Sequence, residues 1–398
     1  MSKRTIVTLP GDGIGRSVLD ASIRVLTAAG FDADYVEGDI GWEFWKNEGN
    51  PLPERTLKLL KEHKIALFGA ITSKPKDAAA AELDESLQNK GYIYSSPIVN
   101  LRQHFGLDIC MRPCHTYKGN PLNFIRRGKG NEIEEPLVDV VIFRQNTEGL
   151  YSGIEWSDPP ENVFQALKSH PKFEKNFGNI PKNEISISTR VFTKNAVERI
   201  LTAAFEHAMK YNYKSVTVCE KPNVLRETSG MMYKMAMEIQ SERYPEIELW
   251  NTNVDAQMMW LTKNPENYGV IVAGNLFGDI ISDGFAGLIG GLGFACSAQY
   301  NPDSGIAVFE PTHGSAPKYA DFPVSIVNPV AMIESSCMML DFIGEEEKAK
   351  KIRSAVAAVI EEGKVRTYDM MKMSGTPDVL ENGAASTSEM ADAVIAKL

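Results

Sequence analysis

The sequence predicts an α/β protein built around a largely parallel sheet. Strand-like and helical runs alternate along most of it, the rhythm of consecutive βαβ units. At 398 residues the chain exceeds what one ordinary small core requires, so two domains or one large α/β domain are expected. Its composition, 43% hydrophobic and 24% charged, carries no biased segment and suits an ordinary globular protein.

Taken in order, the elements support that class. "RTIVTLP" is an apolar, β-branched run that reads as a strand, and the glycine turn "GDGIG", Gly11 to Gly15, follows it. "SVLDASIRVLTAA" spaces its apolar residues for a helix and ends at Gly30; "DADYVEGDIG" returns to a strand. "PERTLKLLKEHK" is a helix leading into the buried strand "IALFGAI". Residues 74–93, "KPKDAAAAELDESLQNKGYI", read as a polar, mobile insertion. From Glu155 to Ile187, Pro, Asn, Lys and Phe dominate and periodicity is weak, as in a protruding arm, a subunit-contact segment or a long surface loop. The helix "TKNAVERILTAAFEHAMKY", strand "SVTVCEK", helix "GMMYKMAMEIQSER", strand "IELWNTNV", helix "DAQMMWLTKN" and strand "GVIVAG" then resume the alternation. There is no internal repeat.

Several classes are excluded at this level. A net charge of −10 argues against nucleic acid as a main partner. No run of about 18 apolar residues offers a membrane span, and "MSKRTIVTLPGDGIG" enters a strand directly, unlike a signal peptide. The five cysteines lie mostly in apolar context. Cys110-Met-Arg-Pro-Cys114 lacks a second Cys/His pair at zinc spacing, so reduced, buried thiols in the cytoplasm are the expectation.

Three constellations carry chemistry. The "GDGIG" turn sits between strand and helix like a dinucleotide fingerprint, but its glycines are spaced G-x-G-x-G and no well-placed acidic partner follows; alone it is a tight turn. Arg102, Arg112 and Arg144 each lie in apolar surroundings at an expected element end. Any one of them reads as a structural ion pair. Three near Ser96, Tyr151 and a carboxylate cluster suggest a pocket for a polycarboxylate, which guanidinium forks bind bidentately. The third is "VIVAGNLFGDIISDGFAG": Val270 to Ala273 reads as a buried strand broken by Gly274, Asn275 and Gly278. Asp279 and Asp283 follow four residues apart, so on a helix they share a face and repel. Helix N-capping would explain Asp255 and Asp279 but not Asp283, a full turn in. Three aspartates at such positions suit a hard divalent cation.

Together "LPGDGIG", "RQNTEGLYSGIEW", "NLFGDIISDGFAGLIGGLG", "FEPTHGSAPKYA" and "VNPVAMI" make the chain resemble the isocitrate/isopropylmalate dehydrogenase family over most of its length. The resemblance implies a large mixed, mostly parallel sheet in two domains, distinct from the usual Rossmann fold. Residues 1–107 and 290–398 would form the large cofactor-binding domain, and 108–289 a small domain with the metal and substrate site and a dimer-contact arm at about 155–187. It implies oxidation and decarboxylation of a 2-hydroxy acid in a homodimer with shared active sites. By the same resemblance Asp279 and Asp283, with Asp255 from the partner subunit, would bind Mg2+ or Mn2+. Arg102, Arg112 and Arg144 would hold substrate carboxylates, Tyr151 would protonate the enolate carbon, and Lys221 from the other subunit would assist proton transfer at the hydroxyl. Thr72 would lie near the nicotinamide, His313 and Asn328 at the adenosine, with Gly314 in the same loop.

Ser96, six residues before Arg102, matches the serine that meets the distal carboxylate in isocitrate dehydrogenases. Ile98 stands where those enzymes often have asparagine, so "SSPIVNLR" also resembles homoisocitrate dehydrogenases, while "ICMRPCHTYKGNP" and "YSGIEW" return the reading to isocitrate. Lys318 and Tyr319 replace the Asp and Ile of NAD-using relatives, and Tyr368 and Lys372 match positions that bind the 2′-phosphate in NADP-dependent ones. NADP is therefore the expected cofactor. Homoisocitrate or 3-isopropylmalate oxidation, NAD-dependent isocitrate oxidation and a non-catalytic regulatory relative are the alternatives; the last would be expected to have lost part of the Tyr151, Lys221 and aspartate set, which this chain keeps.

Overall fold

The computed structural model describes residues 3–398. Its strands, in chain order, are β1 (Arg4–Gly11), β2 (Ala33–Glu37), β3 (Ile65–Ala70), β4 (Ile109–His115), β5 (Arg126–Arg127), β6 (Ile133–Glu134), β7 (Asp139–Gln145), β8 (Glu155–Ser157), β9 (Ser186–Ser188), β10 (Ser215–Glu220), β11 (Glu248–Asn253), β12 (Val270–Ala273), β13 (Cys296–Asn301) and β14 (Ile306–Pro311). Ten of them form one sheet in the order β11-β10-β12-β7-β4-β13-β14-β3-β1-β2. Six of the nine neighbouring pairs are parallel, which makes the sheet mostly parallel; β4 and β13 supply the antiparallel contacts at its centre. Two parallel flanks of opposite direction therefore meet at β4 and β13, away from the edges.

Strands β3, β10, β12 and β14 are buried at every position. Helices cover both faces of the sheet, which is why β3 and β12 read as unbroken apolar runs, while in β10 the polar Ser215, Thr217 and Glu220 are buried as well. Helix Gly15–Ala28 buries Val18, Leu19, Val25 and Leu26; each such side chain contributes roughly 1.5–3 kcal/mol when fully buried. Helix Val330–Phe342 is buried from Val330 through Leu340 and packs on β13, β14 and helix Glu346–Glu362. On the other flank, helices Lys194–Lys210 and Thr228–Arg243 enclose a separate apolar cluster with β7, β10 and β12.

Two segments are more ordered than their sequence implies. Residues 155–187 hold the ribbon β8–β9 and helices Glu161–Lys168 and Pro171–Phe177, joined by edge contacts Phe164–Phe173 at 5.9 Å and Phe173–Phe177 at 5.5 Å. Two-turn helices show too few repeats for a period to be read, and Pro160 and Pro171 look like breakers although they start the helices. Within 74–93, helix Lys76–Ala81 buries Ala79, and Leu83 joins Trp45 and Tyr94; the Trp45 indole donates to the Ala79 carbonyl at 2.8 Å. All five cysteines are buried free thiols. Among the described residues no helix is long and apolar enough to cross a membrane.

Candidate active site

The cluster starts from strand geometry. Antiparallel pairing sets Arg112 opposite Ile142 and Cys110 opposite Arg144, so Arg112 and Arg144 are diagonal neighbours on one face. Arg112 lies mid-strand in β4, not at an element end as its sequence context suggests, while Arg144 is near the end of β7 and Arg102 lies within helix Pro97–Phe105. Helix Asn275–Leu288 crosses that face. It comes close because residue 278 is glycine: a Cβ there would stand 2.8 Å from the Cβ and Cγ of Arg144.

Asp279 is the hub. Its carboxylate accepts from Arg144, from Arg112 at 3.2 Å and from the Tyr151 hydroxyl at 2.6 Å. Arg112 also donates to the Ser282 hydroxyl at 2.7 Å and lies 3.5 Å from Asp283; Arg144 donates to Asn275 at 2.9 Å. The Arg144 guanidinium stands 5.1 Å from the Tyr151 ring centroid. Arg102 is held from behind by Gln299 and by Glu310 at 3.3 Å, and Gln299 in turn takes a bond from Asn146 at 2.9 Å. Ser96 precedes the Arg102 helix as its N-cap residue, and its hydroxyl makes no capping bond.

The electrostatics follow from this crowding. Burial, with Arg112 alongside, lowers Arg144 to about 10, which leaves it charged at neutral pH. Burial opposes ionisation of Asp279, but Arg144 and Arg112 outweigh it and hold the carboxyl below its usual range. Partial desolvation by the surrounding protein, reinforced by the facing Asp279, pushes Asp283 up although its side chain remains largely exposed. Tyr151 is raised by burial and by Asp279, so it stays a protonated donor. Arg112 keeps a buried Nε without a partner.

Lys221 and Asp255 form a second group. Lys221 directly follows β10 and pairs with Asp255 in the first turn of helix Val254–Trp260, at the end of the adjacent β11. Lys221 holds Asp255 below the usual carboxylate range. Asp255 does not join Asp279 and Asp283: among the described residues no three metal-ligating side chains converge. The donor set still fits a hard cation in part, since Asp279 and Asp283 offer carboxylate oxygen from one helix face. The sequence did not reveal Glu220, a fully buried carboxylate between the two groups. It accepts from the Gly274 N–H at 2.7 Å, from Arg190 at 2.8 Å and from Ser229, tying the end of β10 to the start of helix Asn275–Leu288.

A third group gathers at the ends of β1, β3 and β14. Asp12 of the glycine turn accepts from the backbone N–H of Trp42 at 2.6 Å and of Thr72 at 2.8 Å. The Thr72 hydroxyl meets that of Ser315 at 2.6 Å, and the Ile14 N–H donates to the Ser315 carbonyl. Gly13, at φ +55°, leaves no room for a side chain, since its Cβ would lie 2.1 Å from that carbonyl. His313 Nδ1 lies 3.0 Å from the Gly314 carbonyl. A carbonyl only accepts, so Nδ1 carries the proton; burial disfavours a second one, which leaves Nε2 a buried acceptor without a partner. Such an acceptor suits a donor like the exocyclic amine of adenine. Gly314 is exposed in the same loop, and Asn328 donates to Asp369 at 3.1 Å. Tyr319 and Tyr368 meet edge to face at 5.5 Å, and the Lys318 ammonium stands 4.6 Å from the Tyr319 ring centroid. Lys372 is not among these contacts; it lines a hollow with Lys364 and Arg366. Ala316 and Lys372 both adopt left-handed backbone, at φ 38° and 56°, a strain typical of functional loops.

Comparison with known proteins places the chain among the dehydrogenases. The chain belongs to the isocitrate/isopropylmalate dehydrogenase family, whose profile matches residues 5–394. It is 40% identical over 392 residues to Protein DlpA of Legionella pneumophila, covering 98% of this chain; the chain spans only 58% of that relative's length. It is 37% identical to homoisocitrate dehydrogenase of Methanocaldococcus jannaschii, covering 98% of this chain and 96% of the relative. Its structure aligns with that of isocitrate dehydrogenase from Methylococcus capsulatus at a TM-score of 0.79 and 34% identity, over 99% of both chains.

Proposed function

We propose that the protein oxidises isocitrate and decarboxylates it to 2-oxoglutarate, with NADP as hydride acceptor and Mg2+ or Mn2+ as the metal. The observation that carries this reading is the charge count around Asp279. Asp279, Asp283 and Glu310 formally balance Arg102, Arg112 and Arg144. A divalent ion at the two aspartates tips the cluster positive by two charges, and a polycarboxylate offsets it, a dicarboxylate to neutrality and a tricarboxylate to a single negative charge.

Arg102, Arg112 and Arg144 then bind the substrate carboxylates, and the free hydroxyl of Ser96 donates to the distal one. Asp279 and Asp283, completed by Asp255 of a second copy, hold the metal, which when bound stabilises negative charge developing on substrate oxygens. Tyr151 delivers its proton to the enolate carbon after CO2 leaves, and Lys221 of the second copy moves the proton of the hydroxyl. Thr72 lies against the nicotinamide, His313, Gly314 and Asn328 against the adenosine, and Lys318, Tyr319, Tyr368 and Lys372 around the 2′-phosphate. Residues 1–107 and 290–398 act as the cofactor domain, 108–289 as the small domain, and 155–187 as the dimer arm. Trp250, Met259, Trp260 and Ile280 are 38–47% exposed, and an exposed apolar set of this kind suits a homodimer contact. The five free thiols suit a reducing cytoplasm.

Homoisocitrate is the second reading, favoured by Ile98. This side chain is buried beside Leu9, Phe68 and Leu101 and offers the distal carboxylate no amide. Assaying the purified chain with isocitrate, homoisocitrate and 3-isopropylmalate, each against NADP and NAD with Mg2+ or Mn2+, decides the matter. Highest kcat/KM with isocitrate and NADP is expected. Preference for another acid overturns the substrate assignment, and absence of turnover with all three favours a non-catalytic relative.

A further inference from the structure

Strand alternation gives β4 and β7 a second face, opposite the arginines. Arg112 and Arg144 point to the candidate active site, while Met111, Pro113 and His115 of β4 and Val141 and Phe143 of β7 line a cavity of about 390 Å³, within the usual range for small-molecule sites. Helices Lys194–Lys210 and Val330–Phe342 supply its flanking walls.

The lining is aromatic and acidic. Phe143 and Tyr213 pack against His207 with ring centroids 5.3 and 5.9 Å away, and Tyr300 meets Phe342 at 5.7 Å. Arg353 is consumed by Glu334 at 3.2 Å and Asp341 at 2.7 Å, and Lys210 by Glu346 at 2.9 Å, a residue outside the cavity. That leaves Asp139 and Glu206 in the lining with no Lys or Arg within ion-pair distance among the described residues; Asp139 takes only a neutral bond from the Tyr213 hydroxyl at 2.9 Å. Burial, with Lys210 nearby, keeps His207 uncharged by lowering it to about 4, so it adds no positive charge. Two uncompensated carboxylates among π-faces repel anions and attract cations.

We propose that this cavity binds a small organic cation, a protonated amine carried on an aromatic or aliphatic body. The site is separate from the arginine cluster and stands whether or not the reaction proposed above is correct. Tryptamine and indole-3-propionate provide the test, since they share a ring system and carry opposite charges at neutral pH. Calorimetry on the full chain is expected to show tryptamine saturating one site per chain, with indole-3-propionate at least about tenfold weaker. Glu206→Lys should weaken tryptamine about tenfold or more, and Glu206→Gln by an intermediate factor. Both substitutions are at a solvent-exposed helical position, and circular dichroism checks that the fold is kept. Glu132→Lys makes the same charge change outside the cavity and should leave binding unaltered. Equal affinity for the two probes, no saturable binding, or an equal effect of Glu206→Lys and Glu132→Lys overturns the proposal.

Discussion

Replacing Lys318 by Asp and Tyr319 by Ile together tests the cofactor assignment. The Lys318 ammonium stands 4.6 Å from the Tyr319 ring centroid, and that ring lies 5.5 Å from Tyr368. A phosphate that reaches one of these groups reaches its neighbours. Each charge-assisted hydrogen bond contributes roughly 1.5–3 kcal/mol. Lys318 is exposed, so solvent screening puts its share at the low end, and the two lost bonds cost about 3 kcal/mol. The new aspartate adds repulsion of about 0.8 kcal/mol per pair of unit charges at ~5 Å in a water-like dielectric. The total, roughly 4 kcal/mol, corresponds to nearly a thousandfold. The assay is kcat/KM with NADP and with NAD, for wild type and double variant. The NADP/NAD ratio should fall at least about a hundredfold while NAD alone changes little. A wild type that prefers NAD, or a ratio untouched by the double change, refutes the reasoning.

Three further outcomes are expected. If Tyr151 and Lys221 act across a subunit boundary, Tyr151→Phe and Lys221→Met proteins, each inactive, should regain roughly a quarter of wild-type activity when unfolded together and reassembled, because half the dimers then carry one intact site of two; no recovery above either parent places both residues in one chain's site. Chelation should abolish turnover and Mg2+ or Mn2+ restore it, with Asp283→Asn demanding more metal at unchanged thermal midpoint; full activity in chelator contradicts the metal reading. His207 is held down to about 4 by burial and Lys210, against about 6.5 in the unfolded chain. The unfolded chain therefore takes up its proton first as pH falls, and stability should drop from about pH 6.5 toward 4, by roughly 1–2 kcal/mol at pH 5. His207→Gln should flatten that slope in denaturant titrations; an identical slope shows that the imidazole plays no part.

The sequence carried the flanks of the sheet better than its centre. β3 and β12 are short apolar runs and β10 a β-branched one, each bounded by turns, and both their type and their place in βαβ units were readable. β4, by contrast, combines Cys, Arg, Pro and His in seven residues, and its antiparallel partners β7 and β13 are fixed only by tertiary pairing. The same limit applies to the candidate site. The spacing of Asp279 and Asp283 is a local signal that survives without a structure, because a helix turn alone makes them neighbours. Nothing local connects Arg102 to Gln299 and Glu310, 197 and 208 residues away, or Glu220 to Gly274, 54 residues away. These buried partners look like ordinary strand residues until the fold brings the charges together.

The division of charge between sheet and helix follows from that difference. Cations at the centre of a sheet have no backbone group to neutralise them, and leaving guanidiniums buried and unpaired costs several kcal/mol each. The compensating acid must come from whatever element covers that face, at a distance set by backbone packing. Gly278 sets it here: without a side chain, the helix settles onto Arg144, and the residue that follows, Asp279, reaches Arg112, Arg144 and Tyr151 at once. Asp283, one turn further, has a side chain 59% exposed and only a 3.5 Å contact with Arg112. Without ligand Asp279 thus holds the arginines while Asp283 keeps most of its carboxylate oxygen exposed, an asymmetry that lets the same helix stabilise the protein and leaves oxygen available for the cation proposed above.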